Sequence, residues 1–171
     1  GPFSASARGL VAAAVNAGTV TQDPDQTFNP GDTTGTIAIP VTIPAGTTYA
    51  RFALFDADVA AGADIDLYVY QGGSQVGTSG SGTSAEEVNL VNPAAGVYTV
   101  YVHGWGLPAG SSPFKLHSWA VPATDAGNMT VTAPASATAG TTGTISLSFS
   151  GLSVGTRYLG SVAYSGSAGL P

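Results

Sequence analysis

Short runs in which apolar side chains recur at every second position dominate this chain, and no window of useful length carries a helical apolar stripe. In "TIAIPVTI" (36–43), Ile37, Ile39, Val41 and Ile43 share one face, while Pro40 on the other removes a ladder donor and marks an edge strand. "YARFALF" (49–55) puts Phe52 and Leu54 together. "DIDLYVYQ" (64–71) sets Ile65, Leu67 and Val69 against Asp64, Asp66, Tyr68 and Tyr70. "GGSQVG" reads as a hairpin connection, and "EEVNLV" (86–91), "GVYTVYVHGW" (96–105) and "SPFKLHSWAV" (112–121) follow as strands. "NPAAG" and "GLPAGS" punctuate them. Strands at a spacing of about 8–12 residues with turn signals between them predict an all-β antiparallel β-sandwich.

Beyond "PATDAG" (122–127) come three more strand patterns: "NMTVTA" (128–133), "TGTISLSF" (142–149) and "TRYLGSVAY" (156–164). Three strands seldom close an independent core. Either this tail packs on the first sandwich, or it pairs with the N-terminal "FSASARGLVAAAV". The second arrangement is preferred. It makes residues 1–21 and 122–171 two parts of a small immunoglobulin-like unit and residues 22–121 an insertion, tolerated where the host ends lie close together.

Composition narrows the function. The chain has 171 residues and is 43% hydrophobic, enough to bury a core rather than remain disordered. Its net charge is −6 and its basic residues, Arg8, Arg51, Lys115 and Arg157, are scattered, so no nucleic-acid or anionic-membrane footprint exists. The absence of cysteine excludes disulfides, thiolate zinc sites and cysteine nucleophiles. The longest apolar run, "GLVAAAV" (9–15), falls far short of the ~18–20 residues of a membrane span and reads as a short buried strand. Few basic residues, many Ser and Thr and an acidic balance suit a secreted protein.

The ordered motifs "FALFDADVAAGADIDLYVYQGGSQVG", "EEVNLVNPAAGVYTVYVHGW" and "FKLHSWAV" resemble the bacterial pre-peptidase C-terminal domain, over about residues 33–121. The likeness lies in an apolar strand, an Asp-x-Asp-Leu-Tyr-Val stretch and a later Gly-x-Tyr-x-Val strand. With "GPFSASARGLV" before and "NMTVTAPASATAGTTGTISLSFSGL" after, the whole chain is similar to the C-terminal region of secreted bacterial subtilisin-like serine proteases. The resemblance implies a jelly-roll-like β-sandwich attached to a protease catalytic domain of the same precursor and lacking the triad itself. By fold it also implies kinship with collagen-binding modules of bacterial collagenases.

Protease-like fragments fail on context. "GTSA" (82–85) resembles the surroundings of a subtilisin nucleophile, but Ser84 runs from a loop into a strand rather than opening a helix. "HGW" (103–105) ends a strand, and no aspartate motif accompanies it. A triad needs all three roles in mutual reach. "GSGTSA" lacks the strand–turn–helix setting of a dinucleotide loop, and no Gly-x-Ser-x-Gly elbow occurs. No catalytic residue is expected.

Two groups of residues stand out. Asp56, Asp58, Asp64 and Asp66 cluster in "DADVAAGADID". They pin turn amides, or, if the flanking strands form a hairpin, their oxygens converge on calcium. Separately, if the two late strands pair, Tyr68, Tyr70, Tyr101, His103, His117 and Trp119 share one outer face. That face is covered by a neighbouring domain or serves as an adhesive platform, since Tyr and Trp dominate interface energetics. Two histidines without nearby ligands do not make a zinc site. The expectation is therefore a non-catalytic accessory region that stabilises or docks on a secreted protease. The alternative is a module binding collagen, insoluble protein or polysaccharide.

Overall fold

A computed structural model describes residues 1–166. Its strands, in chain order, are β1 (Phe3–Ala12), β2 (Ala14–Thr21), β3 (Thr36–Ile43), β4 (Thr47–Ala53), β5 (Asp64–Gln71), β6 (Ser74–Ser79), β7 (Glu87–Val91), β8 (Gly96–Gly106), β9 (Ser111–Pro122), β10 (Met129–Thr132), β11 (Ser146–Phe149) and β12 (Tyr158–Gly166). One 3-10 turn, Asp56–Asp58, lies between β4 and β5. The protein is an all-β antiparallel sandwich protein, as the alternation predicts. Among the described residues no helix is long and apolar enough to cross a membrane. The chain divides into two compact units, residues 14–120 and residues 1–13 with those after 120.

The unit of residues 14–120 is built from two four-stranded sheets, ordered β3-β8-β5-β6 and β2-β9-β4-β7. Ile39, Ile43, Ile65, Leu67, Val69, Tyr98, Val100 and Val102 from the first meet Val20, Ala50, Phe52, Val88, Phe114 and Leu116 from the second in one buried cluster. Burying each such aliphatic or aromatic side chain is worth about 1.5–3 kcal/mol, which selects this inward parity over the alternative register. β3 is an edge strand, and Pro40 sits on it. Ile37, grouped by parity with the inward residues, lies at the strand's start and is exposed.

The connections depart from a simple meander. β5 and β6 form a hairpin through Gly72 and Gly73, both at positive φ, as such a turn requires. The other connections of this unit pass from one sheet to the other. "SQVG", read from sequence as part of a connection, belongs to β6; its polar residues hide the strand because its side chains are largely exposed. The run 9–15 is divided between the end of β1 and the start of β2, and Val15 is exposed rather than buried.

In the other unit, β1 pairs antiparallel with β12, from Phe3 opposite Gly166 to Ala12 opposite Tyr158. The register shifts between Arg8 and Val11. There the Asn128 side chain takes the place of a ladder partner: its Oδ1 accepts from the Leu10 amide at 2.7 Å and its Nδ2 donates to the Leu10 carbonyl at 3.1 Å. β10 pairs with β11, Met129 opposite Phe149. The sequence placed the first junction after residue 21. In the structure Ala14–Thr21 pairs along its whole length with Ser111–Ser118 of β9, and therefore belongs to the larger unit. Residues 167–171 of the third sequence segment lie outside the described residues.

Candidate functional site

Neighbouring strands bring a polar row onto the outer face of the β3-β8-β5-β6 sheet. Register places Thr36 of β3 and Asp66 of β5 on either side of His103 of β8. Alternation points Tyr98, Val100 and Val102 into the core, so Tyr101 and His103 must point away from it. An outward histidine is ordinarily wet. His103 is instead fully buried, and Thr36 and Asp66 are nearly so.

The cover is the connection from β2 to β3, residues 22–35, which acts as a strap. Its Asp23 carboxylate accepts a hydrogen bond from His103 Nε2 at 2.7 Å, and the Asp23 amide donates to the Gly104 carbonyl at 2.9 Å. The Gln22 and Gln26 side-chain amides both donate to the Trp105 carbonyl, at 2.8 and 2.9 Å. Gly35 closes the strap at φ +77°, and a side chain there would collide with the Asp23 backbone. Phe28, midway along, stacks on Tyr68 with ring centroids 3.8 Å apart and planes 10° from parallel. It also contacts Tyr70, Tyr101 and His103.

On its other side, His103 Nδ1 lies 3.7 Å from Asp66 Oδ2, an ion-pair distance too long for a hydrogen bond. Burial opposes a charge on His103, but Asp66 and Asp23 together outweigh it and raise its pKa above the ordinary imidazole value. Burial pushes Asp23 up, yet the bonds from His103 and the Asp25 amide hold it below the ordinary carboxylate value. The row is thus an Asp–His–Asp arrangement in which two buried carboxylates flank one imidazole and favour its protonated form. Burial and the Asp66 charge raise Tyr68 in turn.

The four clustered aspartates do four different things. Asp56 Oδ1 accepts from the Ser84 amide at 2.8 Å. Asp58 lies 3.4 Å from Lys115 Nζ of β9. Asp66 faces His103. Asp64 leaves its Oδ1 buried without a hydrogen bond, and burial, then the charges of Asp66, Glu86 and Asp56, raise its pKa. The hairpin that would bring their oxygens together does not form, because β4 and β5 belong to different sheets. Among the described residues no group of three or more carboxylate or histidine side chains is placed to hold a metal ion.

Ser84 is completely buried. Its hydroxyl donates to the Ala63 carbonyl at 2.8 Å and accepts from the Ile65 amide at 3.0 Å, fastening the chain to the start of β5. Glu86, also buried, accepts from the Ser81 amide and hydroxyl, each at 2.6 Å, and from the Ser79 hydroxyl.

The single aromatic face expected from sequence is two. Tyr68, Tyr70, Tyr101 and His103 gather around Phe28. His117 and Trp119 lie on β9 of the other sheet, where His117 packs edge-on against Phe55 and stacks with Trp119. The correction follows from "GLPAGS": it carries the chain from one sheet to the other instead of pairing β8 with β9. Sequence reasoning missed Asp23 and Phe28 altogether. "QDPDQTFNPGD" (22–32) has turn chemistry, and Asp23 meets a histidine 80 residues away.

No protein-family model matches this chain, and no curated protein matches it. Among solved structures it is similar to PliG of Aeromonas hydrophila, a periplasmic lysozyme inhibitor of g-type lysozyme. The identity is 16%, the TM-score 0.38, and the match covers 64% of this chain and 86% of that one. At that level neither the architecture nor the inhibitory role carries over.

Proposed function

We propose that this chain is a non-catalytic accessory region of a secreted bacterial subtilisin-like serine protease, acting by stabilising or docking on the catalytic domain. The protease context rests on the sequence resemblance to the pre-peptidase C-terminal domain and its flanks. The observation that carries the non-catalytic part is how the chemically capable residues are used. Ser84 spends its hydroxyl on two backbone groups, Glu86 binds loop amide and hydroxyls, and His103 bridges two aspartates. A nucleophile must reach both its base and a substrate, and a hydroxyl tied to the backbone in a closed core reaches neither.

A second reading has its own support. Tyr68, Tyr70 and Tyr101 remain half-buried around Phe28 rather than sealed in the core, and Tyr clusters supply large contact area to a binding surface. The test compares the melting temperature of a host protease with and without this region, alongside pull-down on insoluble collagen and polysaccharide. A stabilised protease with no retention on polymer supports the first reading, and retention by the isolated chain supports the second. No change in either, or stoichiometric labelling of Ser84 by a fluorophosphonate, overturns the proposal.

A further inference from the structure

We propose that residues 22–35 form a proton-operated strap: protonated His103 holds it down by bridging Asp23 and Asp66, and loss of that proton lets the strap lift, carrying Phe28 off Tyr68, Tyr70 and Tyr101.

The argument starts from counting N–H groups. A protonated imidazole has two, here one bonded to Asp23 and one facing Asp66 at ion-pair distance; a neutral one has a single N–H. Asp23 sits at hydrogen-bond distance from Nε2 and Asp66 at 3.7 Å from Nδ1, so a neutral ring with its one N–H toward Asp23 holds the strap by a weaker bond without charge assistance and leaves Asp66 with no counter-charge. Asp66 is nearly buried and has Asp64 behind it on the same strand face. An uncompensated carboxylate in such surroundings demands water. The groups facing His103 are Asp23 from the strap, Asp66 and Tyr68 from β5, Thr36 from β3 and Tyr101 on β8 itself. None of these supplies a second cation. Lys115 and Arg51 are engaged elsewhere, with Asp58 and Glu87.

The strap is the element able to move. It is a connection with no strand of its own, fixed to the sheet mainly at its ends by Gln22, Asp23, Gln26 and Gly35. Its middle is held by the face of Phe28 on Tyr68. Lifting it breaks no strand pairing and hydrates His103 and Asp66 together. The Thr36 hydroxyl and His103 Nδ1, both buried without a hydrogen-bond partner in the protein, are polar atoms that lifting the strap would hydrate. The coupling is a linkage. For each unit by which the closed strap raises the His103 pKa over its open value, full deprotonation weakens strap closure about tenfold.

The test is hydrogen exchange of the amides of residues 22–35 in the whole chain, from about pH 6 to about pH 10, corrected for the intrinsic pH dependence of exchange. His103 is followed in the same samples by the NMR shift of its ring. Strap protection should fall with one midpoint, matching the titration of that ring, while the core strands β5 and β8 stay protected. Asp66→Asn removes one of the two carboxylates and should move the midpoint to lower pH; His103→Gln should abolish the pH dependence. If His103→Gln does not fold, the wild-type coincidence and Asp66→Asn decide. Protection that stays flat while His103 titrates, or a midpoint unmoved in Asp66→Asn, overturns the proposal.

Discussion

The two units use the same local grammar and reach different ends. In residues 14–120, alternating strands from two sheets interleave their inner faces into one continuous core. In the other unit, β1 with β12 and β10 with β11 are two-stranded antiparallel sheets, the first interrupted by one register shift, yet Leu147 and Phe149 of β11 remain exposed. Hydrogen-bonded pairing is satisfied in both; burial is not. The lesson is that a strand's pattern proposes an apolar face, and only a second sheet opposite that face turns it into stability.

Four experiments sharpen or break this contrast. Deleting residues 1–13 has the largest expected effect, because it removes the strand paired with β12 and the Leu10 amide and carbonyl that Asn128 binds. Exchange protection in β12 should vanish while β5 and β8 keep theirs; an unaffected β12 would break the two-unit description. Next, Phe114→Ala, in the core of the larger unit, should cost about 3–5 kcal/mol in denaturant unfolding. Phe149→Ala should stay within about 0.5 kcal/mol. Comparable losses would mean that β11 is buried as β9 is. Third, Ser84→Ala leaves the Ile65 amide and Ala63 carbonyl without their partner, at about 1–3 kcal/mol. A neutral result would return Ser84 to the role of an ordinary loop serine.

The smallest effect concerns pH. Asp64 has its pKa raised in the folded state, so its ionisation opposes folding: its favourable contribution is present below the unfolded carboxylate pKa and is lost as pH rises through the folded value. Asp64→Asn should therefore raise the melting temperature at neutral pH and change it little in strong acid. Asp23 and His103 bound a window from opposite sides. Asp23 is lowered, so its contribution is lost as pH falls through its folded pKa. His103 is raised, so its contribution is lost as pH rises through its own. Maximum stability is expected between the two, and thermal melts across pH locate it.

The strands themselves were largely legible, because alternation such as Ile65, Leu67, Val69 reports burial directly. Partners were not. Alternation says which face is apolar but nothing about the strand beside it, and in the larger unit most connections change sheet. That single fact separated His117 and Trp119 from Tyr101 and His103, and put Asp56 and Asp58 in a connection between sheets rather than in a hairpin with Asp64 and Asp66. Polar strands such as β6 escaped for the opposite reason: their side chains face solvent and leave no apolar trace. Asp23 was illegible because its role exists only once strap and β8 meet across the fold.

The register of β2 on β9 has a consequence for the order of folding. Ala14 lies opposite Ser118, so the larger unit begins and ends at one place. Before it forms, β1 and the segment after residue 120 are separated by a long flexible loop whose closure is entropically unfavourable. Once it forms, that loop is replaced by a short rigid bridge. By the logarithmic dependence of loop closure on length, pre-folding of the insertion lowers the entropic barrier to pairing β1 with its distant partner by about 3 kcal/mol. The smaller unit, least able to bury its own faces, is therefore the one whose assembly waits on its guest, and a mutation that slows the sandwich should delay β1–β12 pairing without touching either strand.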